Sequence, residues 1–360
     1  LKQASAFKEL LCQRLHLTPD QLYGWVGFWL ALHDLGKFST TFQGQRNDIL
    51  ERLQGRRSRF EYTVRHDTLG QVIWQDHLEH QASTEAWFGA DTQELLTALD
   101  PWVRAMTGHH GQPPSEAETN PWPHFDRACD FRAVSAFVAQ MRGLFLHDMD
   151  WQAPGFDDAD QLAQASRELS WWLAGLTVLA DWIGSNQDYF PYEDKELPLD
   201  AYWERAQAQA EGACASIGVL PVHSRATGSF MDLFPGLLHP SPLQSWAANT
   251  PLDHGPQIHL LEDVTGAGKT EAAMMLTHRL MASGVAEGFF IGLPTMATAN
   301  AMYGRLSTFY ARLFEGQASL VLATGQRELV ESFAASVLAS GPVEQDPSQE
   351  DDSASARCTA

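Results

Sequence analysis

A histidine and an aspartate stand together at the end of an apolar run, and this pair constrains the fold more than any other feature. Residues 28–32 read Phe-Trp-Leu-Ala-Leu, and His33 and Asp34 follow directly. A run that is apolar on all sides is buried if it is helical, and Gly36 permits the helix to end here. Burying both polar groups without partners would cost several kcal/mol. We therefore expect a cation or a hydrogen-bond network to hold the pair.

More histidines and aspartates follow at domain-scale intervals along the chain. They are His66, the adjacent pair His109 and His110, and Asp181. Asp181 ends a second apolar run, residues 171–180, which we expect to form a buried helix. Side chains that end core helices in this way predict a metal centre assembled from several helices. Imidazole and carboxylate ligands together suit iron, manganese, nickel or zinc rather than calcium.

Size and composition limit the class of protein. The chain has 360 residues, 44% hydrophobic and 11% aromatic, which is enough for two domains with their own cores. It contains no apolar stretch of about 18 residues, so we expect no membrane span, and no secretory signal is visible. The four cysteines are scattered without a C-x-x-C pair, which favours a reducing cytoplasm.

Charge argues against indiscriminate nucleic-acid binding, since the net charge is −21 and phosphate contacts need Lys and Arg. A local basic groove stays open, because six arginines fall close to aromatic residues. Arginines interleaved with aromatics suit a single strand, and an ordinary solvated face is an equally good interpretation. The residues are Arg46, Arg52, Arg56, Arg57, Arg59 and Arg65, near Phe42, Phe60 and Tyr62.

The pattern of the chain changes near residue 217. Before it, apolar spacing predicts helices throughout. These helices span residues 4–15, 22–34, 66–80, 92–108, 125–147, 161–180 and 198–216. Beyond a proline-rich stretch, short apolar strands alternate with helices, which indicates a parallel sheet. The predicted strands are 257–261, 288–293 and 319–323, with helices at 269–283 and 296–314. We expect an all-α domain over 1–205, a linker over 206–240 and an α/β domain over 241–360.

A glycine-rich segment follows the first predicted strand and opens a helix, which is the context that a phosphate-binding loop requires. Gly266 and Gly268 let backbone N–H groups turn toward phosphate oxygens. Lys269 would reach the β- and γ-phosphates, and the Thr270 hydroxyl would ligate Mg²⁺. The strict pattern has glycine where this chain has Asp263. The segment predicts a nucleotide site.

These motifs together resemble the CRISPR-associated nuclease–helicases of type I systems, over essentially the whole chain. The first motifs are His-Asp-Leu-Gly-Lys at 33–37, Arg-His at 65–66, Gly-His-His-Gly at 108–111 and Ala-Asp-Trp-Ile-Gly-Ser-Asn at 180–186. The helicase-like motifs are Ser-Pro-Leu-Gln ending at Gln244, the loop at 265–270 and Leu-Pro-Thr-Met-Ala-Thr-Ala-Asn at 293–300. The resemblance implies a multidomain fold, with an all-α HD-type metal phosphohydrolase domain followed by a partial α/β RecA-like P-loop helicase domain.

The resemblance also implies a role for each matching residue. One metal would be held by His33, Asp34 and Asp181, and Asp34 would bridge to a second metal held by His66, His109 and His110. Asp34, Lys37 and Ser185 would serve catalysis at the scissile phosphate. Nucleotide contacts would come from Gln244, Thr265, Gly266, Ala267, Gly268, Lys269 and Thr270. DNA contacts would come from Thr295, Thr298 and Asn300.

The same resemblance implies cofactors, partners and location. The cofactors would be two divalent transition-metal ions (iron, manganese, nickel or cobalt), together with ATP and Mg²⁺ in the helicase site. The partners would be single-stranded DNA and the Cascade surveillance complex, in the cytoplasm of a prokaryote. The ligand types suit two-metal hydrolysis of a phosphodiester.

Two departures from the family pattern predict a fragment. The pattern begins with a further histidine on an earlier helix, whereas His16, the upstream candidate, is too close to His33 and follows the wrong motif. The chain opens on Leu1 and stops at Ala360 before any Asp-Glu-x-His box. We therefore expect a nuclease domain joined to the first part of a helicase motor.

Three functions remain open at this point. The first is a CRISPR antiviral nuclease that cuts single-stranded DNA and is coupled to an ATP-dependent translocase. The second is an HD phosphohydrolase of small nucleotides, with the phosphate loop as a regulatory switch. The third is an inactive module that binds DNA or Cascade. Metal content separates the first from the third, and digestion of single-stranded DNA against a nucleotide panel separates the first from the second.

Overall fold

A computed structural model describes residues 5–110, 120–152, 155–192, 197–217, 219–220, 222–226, 228–316, 318 and 320–322. The chain forms two compact units that meet in sequence at residue 197, here called the N-terminal and C-terminal units. No helix in the described ranges is both long and apolar enough to cross a membrane. The domain boundaries predicted at 205 and 240 stay predictions.

The N-terminal unit is built from helices. They are α1 (Ser5–Leu15), α2 (Pro19–Ala31), α3 (Thr40–Gln43), α4 (Asn47–Gln54), α5 (His66–Ile73), α6 (Glu79–Thr84), α7 (Thr92–Ala98), α8 (Asp100–Thr107), α9 (Arg127–Phe145) and α10 (Ala159–Gly184). Short 3₁₀ turns lie at Leu35–Phe38, Gly44–Arg46 and Trp122–His124, and a π-helical turn at Trp74–Leu78 joins α5 to α6. The prediction of an all-helical first region is confirmed for these residues.

Helix α2 shows why the core forms where it does. Thr18 and Gln21 form a capping box at its start, and Pro19 occupies the first turn, where its missing N–H is not needed. Trp25, Phe28 and Trp29 are fully buried. The rings of Trp25 and Trp29 pack edge to face with centroids 5.5 Å apart, a favourable arrangement for aromatic pairs. This helix therefore anchors the aromatic core directly before His33.

The predicted helix over 161–180 is longer and less buried than expected. Helix α10 runs to Gly184, because no glycine or proline interrupts residues 176–183. Asp181 therefore lies in its last turn and does not end it. The side chain of Trp171 is 85% exposed and that of Trp172 is 53% exposed. Leu162, Leu169 and Leu173 face the core at helical spacing, so one face is buried and the expectation of burial on all sides was wrong.

Two other predicted helices are interrupted. The helix predicted over 92–108 is interrupted at Leu99 and forms two helices, α7 and α8. The interruption arises because Pro101 has no N–H to donate within a continuous helix. The helix predicted over 66–80 contains a π-helical turn, which separates α5 from α6. The short helices α3 and α4 were not predicted, since each is too brief to show a clear period.

The C-terminal unit contains five helices among its described residues. They are α11 (Leu199–Ile217), α12 (Phe230–Leu233), α13 (Pro242–Asn249), α14 (Lys269–Ala282) and α15 (Met296–Ser307), with a 3₁₀ turn at Tyr310–Arg312. Met275 and Leu276 of α14 share a core cluster with Leu306 and Phe309. The helices predicted over 269–283 and 296–314 are present, although the second ends at Ser307.

The strands predicted over 257–261 and 288–293 do not form in the described part of the chain, whose one β-bridge joins Ser224 to Phe314. Both segments still alternate in exposure, as extended chains do. Ile258 and Phe290 are 97% and 87% exposed, while Leu261 and Ile291 pack against the core cluster. Strands require hydrogen bonds from a neighbouring strand, which these segments do not receive. The predicted strand 319–323 lies partly outside the described residues.

Candidate metal centre

Four segments of the N-terminal unit bring the predicted ligands together, one of them the last turn of α10, which carries Asp181. Helix α2 ends at Ala31, and His33 and Asp34 lie on the turn that follows it. His66 is the first residue of α5. His109 and His110 follow the end of α8. Side chains at helix ends can converge on one site even when the helix axes are not parallel.

A close approach of two backbones sets the distance between Asp34 and His66. A Cβ added to Gly36 would overlap the carbonyl group of His66 and approach the amide nitrogen of Gly70. The 3₁₀ turn after Asp34 therefore touches the start of α5 at a position where only glycine fits. The signal for this contact was present in the sequence, but Gly36 was interpreted as a helix end.

The ligand atoms converge around Asp34. His66 Nε2 lies 3.4 Å and His109 Nε2 3.8 Å from Asp34 Oδ1. On the other side, His33 Nε2 lies 3.1 Å from Asp34 Oδ2 and 3.5 Å from Asp181 Oδ1. His110 Nε2 lies 2.7 Å from His66 Nε2. All six predicted ligands therefore lie in one cluster, with Asp34 between its two parts.

The cluster can be tested for its fit to a metal ion. Nε2 of His109 and Oδ1 of Asp34 are buried without a hydrogen bond among the described residues, and the buried Nε2 of His33 faces two carboxylate oxygens, of Asp34 and Asp181, at 3.1 and 3.5 Å. Ligand atoms around a six-coordinate ion with bonds of about 2.1 Å are about 3 Å apart, close to the spacing seen here. Two triads have ligand atoms within 4.8 Å of one another, namely His66, His109, His110 and His33, Asp34, His109. The residues present therefore fit a divalent metal.

Burial and charge set the protonation of the ligands. Burial, helped by His110, lowers the pKa of His66 and of His109 to about 4. Both rings are therefore neutral near pH 7, the state in which imidazole binds a metal. Burial opposes the charged form of His33, but hydrogen bonds to Asp181 and Asp34 outweigh it and raise the pKa of His33 to about 10. Although burial opposes it, His33 also holds the pKa of Asp34 well below its usual range.

Neighbouring groups orient the ligand rings. His33 Nδ1 lies 2.8 Å from the carbonyl oxygen of Leu30, and His109 Nδ1 lies 3.1 Å from that of Met106. An Nδ1–H that donates to a carbonyl fixes the tautomer that leaves Nε2 free for a metal. These bonds arise from helix ends, so the sequence gives little sign of them.

Lys37 and Ser185 lie beside two of the predicted ligands, and their catalytic roles stay predictions. Lys37 Nζ is 2.8 Å from Asp34 Oδ2 with its side chain 39% exposed. Ser185 Oγ donates to Asp181 Oδ1 at 3.2 Å. Both side chains are therefore attached to predicted ligands and also reach solvent.

The basic stretch between 46 and 65 is largely neutralised. Arg46 pairs with Asp48, Arg57 with Glu51 and Arg65 with Asp67. Arg56 donates to Asp126 and to Asp130, which is 3% exposed, and to the Thr40 hydroxyl. These pairs favour the interpretation as an ordinary surface over that of a strand-binding groove. The structural role of Arg56 was not predicted, because its partners lie far away in sequence.

The phosphate loop in the C-terminal unit has the expected backbone. Gly266 and Gly268 have φ values of 87° and 81°, a region that favours glycine. Lys269 Nζ donates to the carbonyl oxygens of Asp263 and Val264. Asp263 Oδ1 accepts the N–H of Val264, so the carboxylate is turned onto its own loop.

Several of the remaining predicted nucleotide and DNA contacts have hydrogen-bond partners within the C-terminal unit. Gln244 is buried and lies against Gly268, whose carbonyl oxygen accepts from its Nε2 at 3.4 Å. The Thr270 hydroxyl accepts from Arg305, a residue that the sequence did not single out. Thr295 caps α15 by accepting the N–H of Thr298. The predicted roles in nucleotide and DNA binding, including those of Thr265, Ala267 and Asn300, all stay predictions.

Residues 1–190 match the family model described as "Cas3, HD domain", which is more than half of the chain. The chain belongs to the Cas3 HD domain family. The resemblance stated from the motifs is thereby confirmed.

Relatives of known name support the same family. The chain is 27% identical over 347 residues to the CRISPR-associated endonuclease/helicase Cas3 of Escherichia coli, covering 90% of this chain and 37% of that protein. It is 28% identical over 307 residues to the Cas3 of Thermus thermophilus, covering 83% of this chain and 31% of that protein. The chain therefore spans about a third of the length of these Cas3 relatives.

Solved structures share the fold. The structure titled "Crystal structure of T. fusca Cas3-ADP" matches with a TM-score of 0.64 at 23% identity, covering 92% of this chain and 36% of that one. A structure titled "Crystal structure of CRISPR-associated protein" matches with a TM-score of 0.60 at 26% identity, covering 87% of this chain and 34% of that one. The Cas3 fold therefore extends over most of the chain.

Proposed function

We propose that the metal centre hydrolyses phosphodiester bonds of single-stranded DNA during CRISPR antiviral interference. The observation that carries this proposal is the convergence of buried ligand atoms from His33, Asp34 and His109, of which Asp34 Oδ1 and His109 Nε2 have no hydrogen bond among the described residues. Unpaired polar atoms are costly to bury, so their presence in a cluster points to a cation. The names of the Cas3 relatives supply the nuclease activity and its CRISPR setting.

Two divalent transition-metal ions suit the cluster, with iron, manganese, nickel and cobalt as the candidates. One ion would be held by His33, Asp34 and Asp181, and the other by Asp34, His66, His109 and His110. When bound, such ions lower the pKa of water and neutralise charge on the phosphate. Asp34 would bridge the two because its two oxygens face different parts of the cluster.

The chain's own side chains would position the substrate. Lys37, which pairs with Asp34 and reaches solvent, would attract a phosphate of the strand and orient it toward the ligands. Ser185 would hold Asp181 in place through its hydrogen bond. The neutral rings of His66 and His109 would be ready to bind without losing a proton. No nucleophilic side chain is required by this chemistry.

We further propose that the C-terminal unit belongs to an ATP-dependent motor with a partial α/β RecA-like fold. The positive φ values of Gly266 and Gly268 support a phosphate loop. Lys269, with Thr265, Ala267 and Thr270, would exchange its loop contacts for ATP and Mg²⁺, and Gln244 would lie beside them. Thr295, Thr298 and Asn300 would contact the DNA backbone at the start of α15, where N–H groups favour phosphate. Cascade would be the partner that supplies the DNA.

Cleavage of labelled single-stranded DNA tests the nuclease proposal. The protein is stripped with a chelator and reloaded with Mn²⁺. Asp34→Asn should lower the cleavage rate by more than about 100-fold, since even partners of ligands contribute about 10- to 100-fold. Asp48→Asn, a surface aspartate paired with Arg46, is the matched control and should cleave as the wild type does.

The outcomes separate the three functions. Cleavage by the chelated protein, or by Asp34→Asn at the wild-type rate, contradicts the assignment of the site. Hydrolysis of small nucleotides in place of DNA supports the phosphohydrolase alternative. Ion binding without hydrolysis of either substrate by the full-length protein supports a binding module.

A further inference from the structure

The three histidines nearest Asp34 are each held through Nδ1, but not by the same kind of group. His33 and His109 lie against the backbone carbonyl oxygens of Leu30 and Met106. His66 lies against a side chain: the hydroxyl oxygen of Tyr62 is 3.1 Å from its Nδ1. Tyr62 therefore occupies, at His66, the place that a backbone carbonyl occupies at the other two rings.

A second contact fixes this hydroxyl in place. The backbone N–H of His66 donates to the same Tyr62 oxygen at 2.7 Å. That N–H lies in the first turn of α5, where it has no partner within the helix. A phenol oxygen can accept both N–H groups. Tyr62 thus holds the start of α5 and the imidazole of its first residue with one atom.

The ring of Tyr62 is held as well. It packs edge to face on Phe42 with centroids 5.4 Å apart, and Phe42 packs on the His66 ring at 5.6 Å. Lys37 Nζ lies 5.9 Å from the centre of the Phe42 ring. Removing the hydroxyl alone would therefore leave the aromatic packing of this corner intact.

The tautomer of His66 decides which nitrogen can bind an ion. A neutral imidazole has one N–H, and a metal binds the nitrogen without it. His66 Nε2 faces the cluster, 2.7 Å from His110 Nε2 and 3.4 Å from Asp34 Oδ1. For Nε2 to bind an ion the proton must be on Nδ1, where it needs an acceptor.

We propose that Tyr62 is a positioning residue of the metal centre, whose hydroxyl oxygen accepts Nδ1–H of His66 and so directs Nε2 to the ion shared with His109 and His110. This inference rests on the proposed function, since it assigns a role in the second of the two ion positions. Tyr62 does not touch substrate in this role. It acts on affinity for the ion through His66.

Two measurements on Tyr62→Phe test the role. Titration of the chelated protein with Co²⁺, followed by its visible absorption, should show a Kd for the second ion raised about 10- to 100-fold, the usual effect of losing such a partner. Binding of the first ion should be unchanged, and excess metal should restore cleavage. Tyr192→Phe is the control, since the Tyr192 side chain is 78% exposed and its hydroxyl accepts from Gln187.

The second measurement needs no metal. Imidazole ¹⁵N spectra of the chelated wild type should show His66 with its proton on Nδ1, and Tyr62→Phe should shift it toward Nε2. Wild-type ion affinities in Tyr62→Phe, or a wild-type His66 protonated on Nε2, overturn the inference. A wild-type protein that binds fewer than two ions contradicts the proposed function instead, and the tautomer then still decides the contact with Tyr62.

Discussion

The metal cluster and the phosphate loop differ in how far their surroundings complete them. Around Asp34, ligands on or next to the ends of α2, α5, α8 and α10 meet, and Asp34 Oδ1 and His109 Nε2 are buried there without a hydrogen bond among the described residues. In the phosphate loop, Lys269 is bonded to carbonyl groups of its own loop, and the flanking segments expose Ile258 and Phe290. Packed helices can hold unpaired polar groups ready for a ligand, whereas an exposed loop pairs its polar groups internally.

The largest effect on folding should come from the buried charges that hold the N-terminal unit together. Arg56→Ala leaves Asp130, which is 3% exposed, without its cation, and breaking a buried pair costs about 3–5 kcal/mol. Denaturant unfolding measures the loss. Arg57→Ala, at an exposed pair with Glu51, is the control and should change stability by less than about 1 kcal/mol. Equal effects of the two changes would contradict the role given to Arg56.

Gly36→Ala should damage the metal cluster itself. The added methyl group overlaps the His66 carbonyl, and overpacking of this kind costs about 1–3 kcal/mol. The shift separates Asp34 from His66, so binding of the second ion should be lost. Calorimetric titration with Mn²⁺ measures it. Gly143→Ala in α9, where a Cβ meets nothing within 4 Å, should bind ions normally, and so would Gly36→Ala if the contact were unimportant.

The histidines of the metal cluster should make the stability of the N-terminal unit depend on pH. In the chelated protein the pKa values of His66 and His109 are lowered to about 4, so the unfolded chain takes up protons first on acidification. Stability should fall below about pH 6.5, by about 1 kcal/mol per histidine per pH unit. The pKa of His33 is raised to about 10, so its contribution is lost as pH rises from about 6.5 to that value.

Thermal unfolding of the chelated protein between about pH 5 and pH 10 checks this prediction. We expect maximal stability near neutral pH, with losses on both sides. Saturation with Mn²⁺ should reduce the alkaline loss, because the ion takes the place of the proton on His33. A midpoint that rises steadily with pH would contradict the protonation states assigned to the cluster.

The smallest effect on the N-terminal unit should come from the phosphate loop. Lys269→Ala truncates a half-buried side chain outside the N-terminal unit, and substitutions away from a core usually alter stability by less than about 0.5 kcal/mol. In the full-length protein it should stop ATP hydrolysis and spare metal-dependent cleavage of free single strands. Parallel assays of the two activities measure this. Loss of both in a folded protein would show that the sites are not independent.

ATP turnover by the present chain gives a related test. The resemblance implies that ATP hydrolysis also needs an acidic box and an arginine finger, which no motif noted in residues 1–360 matches, and such an arginine alone is worth about 10³–10⁵ in rate. Residues 1–360 should therefore hydrolyse ATP negligibly with saturating single-stranded DNA. Turnover at about 1–100 s⁻¹, the range of phosphoryl-transfer enzymes, would contradict this.

The sequence singled out side chains that the structure brings together, because their chemistry is rare in apolar surroundings, and their role as ligands stays a prediction. His33, Asp34 and Asp181 each stand out against a hydrophobic run, and the structure gathers them. Tyr62 could not be predicted as a partner of His66, since it lies in an irregular segment whose course depends on tertiary packing. The strand predictions were wrong for a related reason. Alternation of apolar and polar residues specifies an extended chain, but pairing depends on neighbouring strands, which the local sequence pattern does not contain.

Helix α10 shows a similar limit. Its composition predicted burial on all sides, yet Trp171 is 85% exposed, because an apolar residue is not obliged to be inside. The basic stretch was open between two interpretations, and its carboxylate partners, such as Asp126 and Asp130 for Arg56, became visible in the fold. In each case the residue type predicted what a side chain could do, and its contacts in the fold determined whether it is buried or paired.

Anomalous diffraction from Mn²⁺-loaded crystals tests the central claim most directly. We expect two peaks about 3.5–4 Å apart, the usual spacing in two-metal sites. One peak should contact His33 and Asp181, the other His66, His109 and His110, with Asp34 between them. A single peak, or peaks that do not share Asp34, would contradict the two-metal centre.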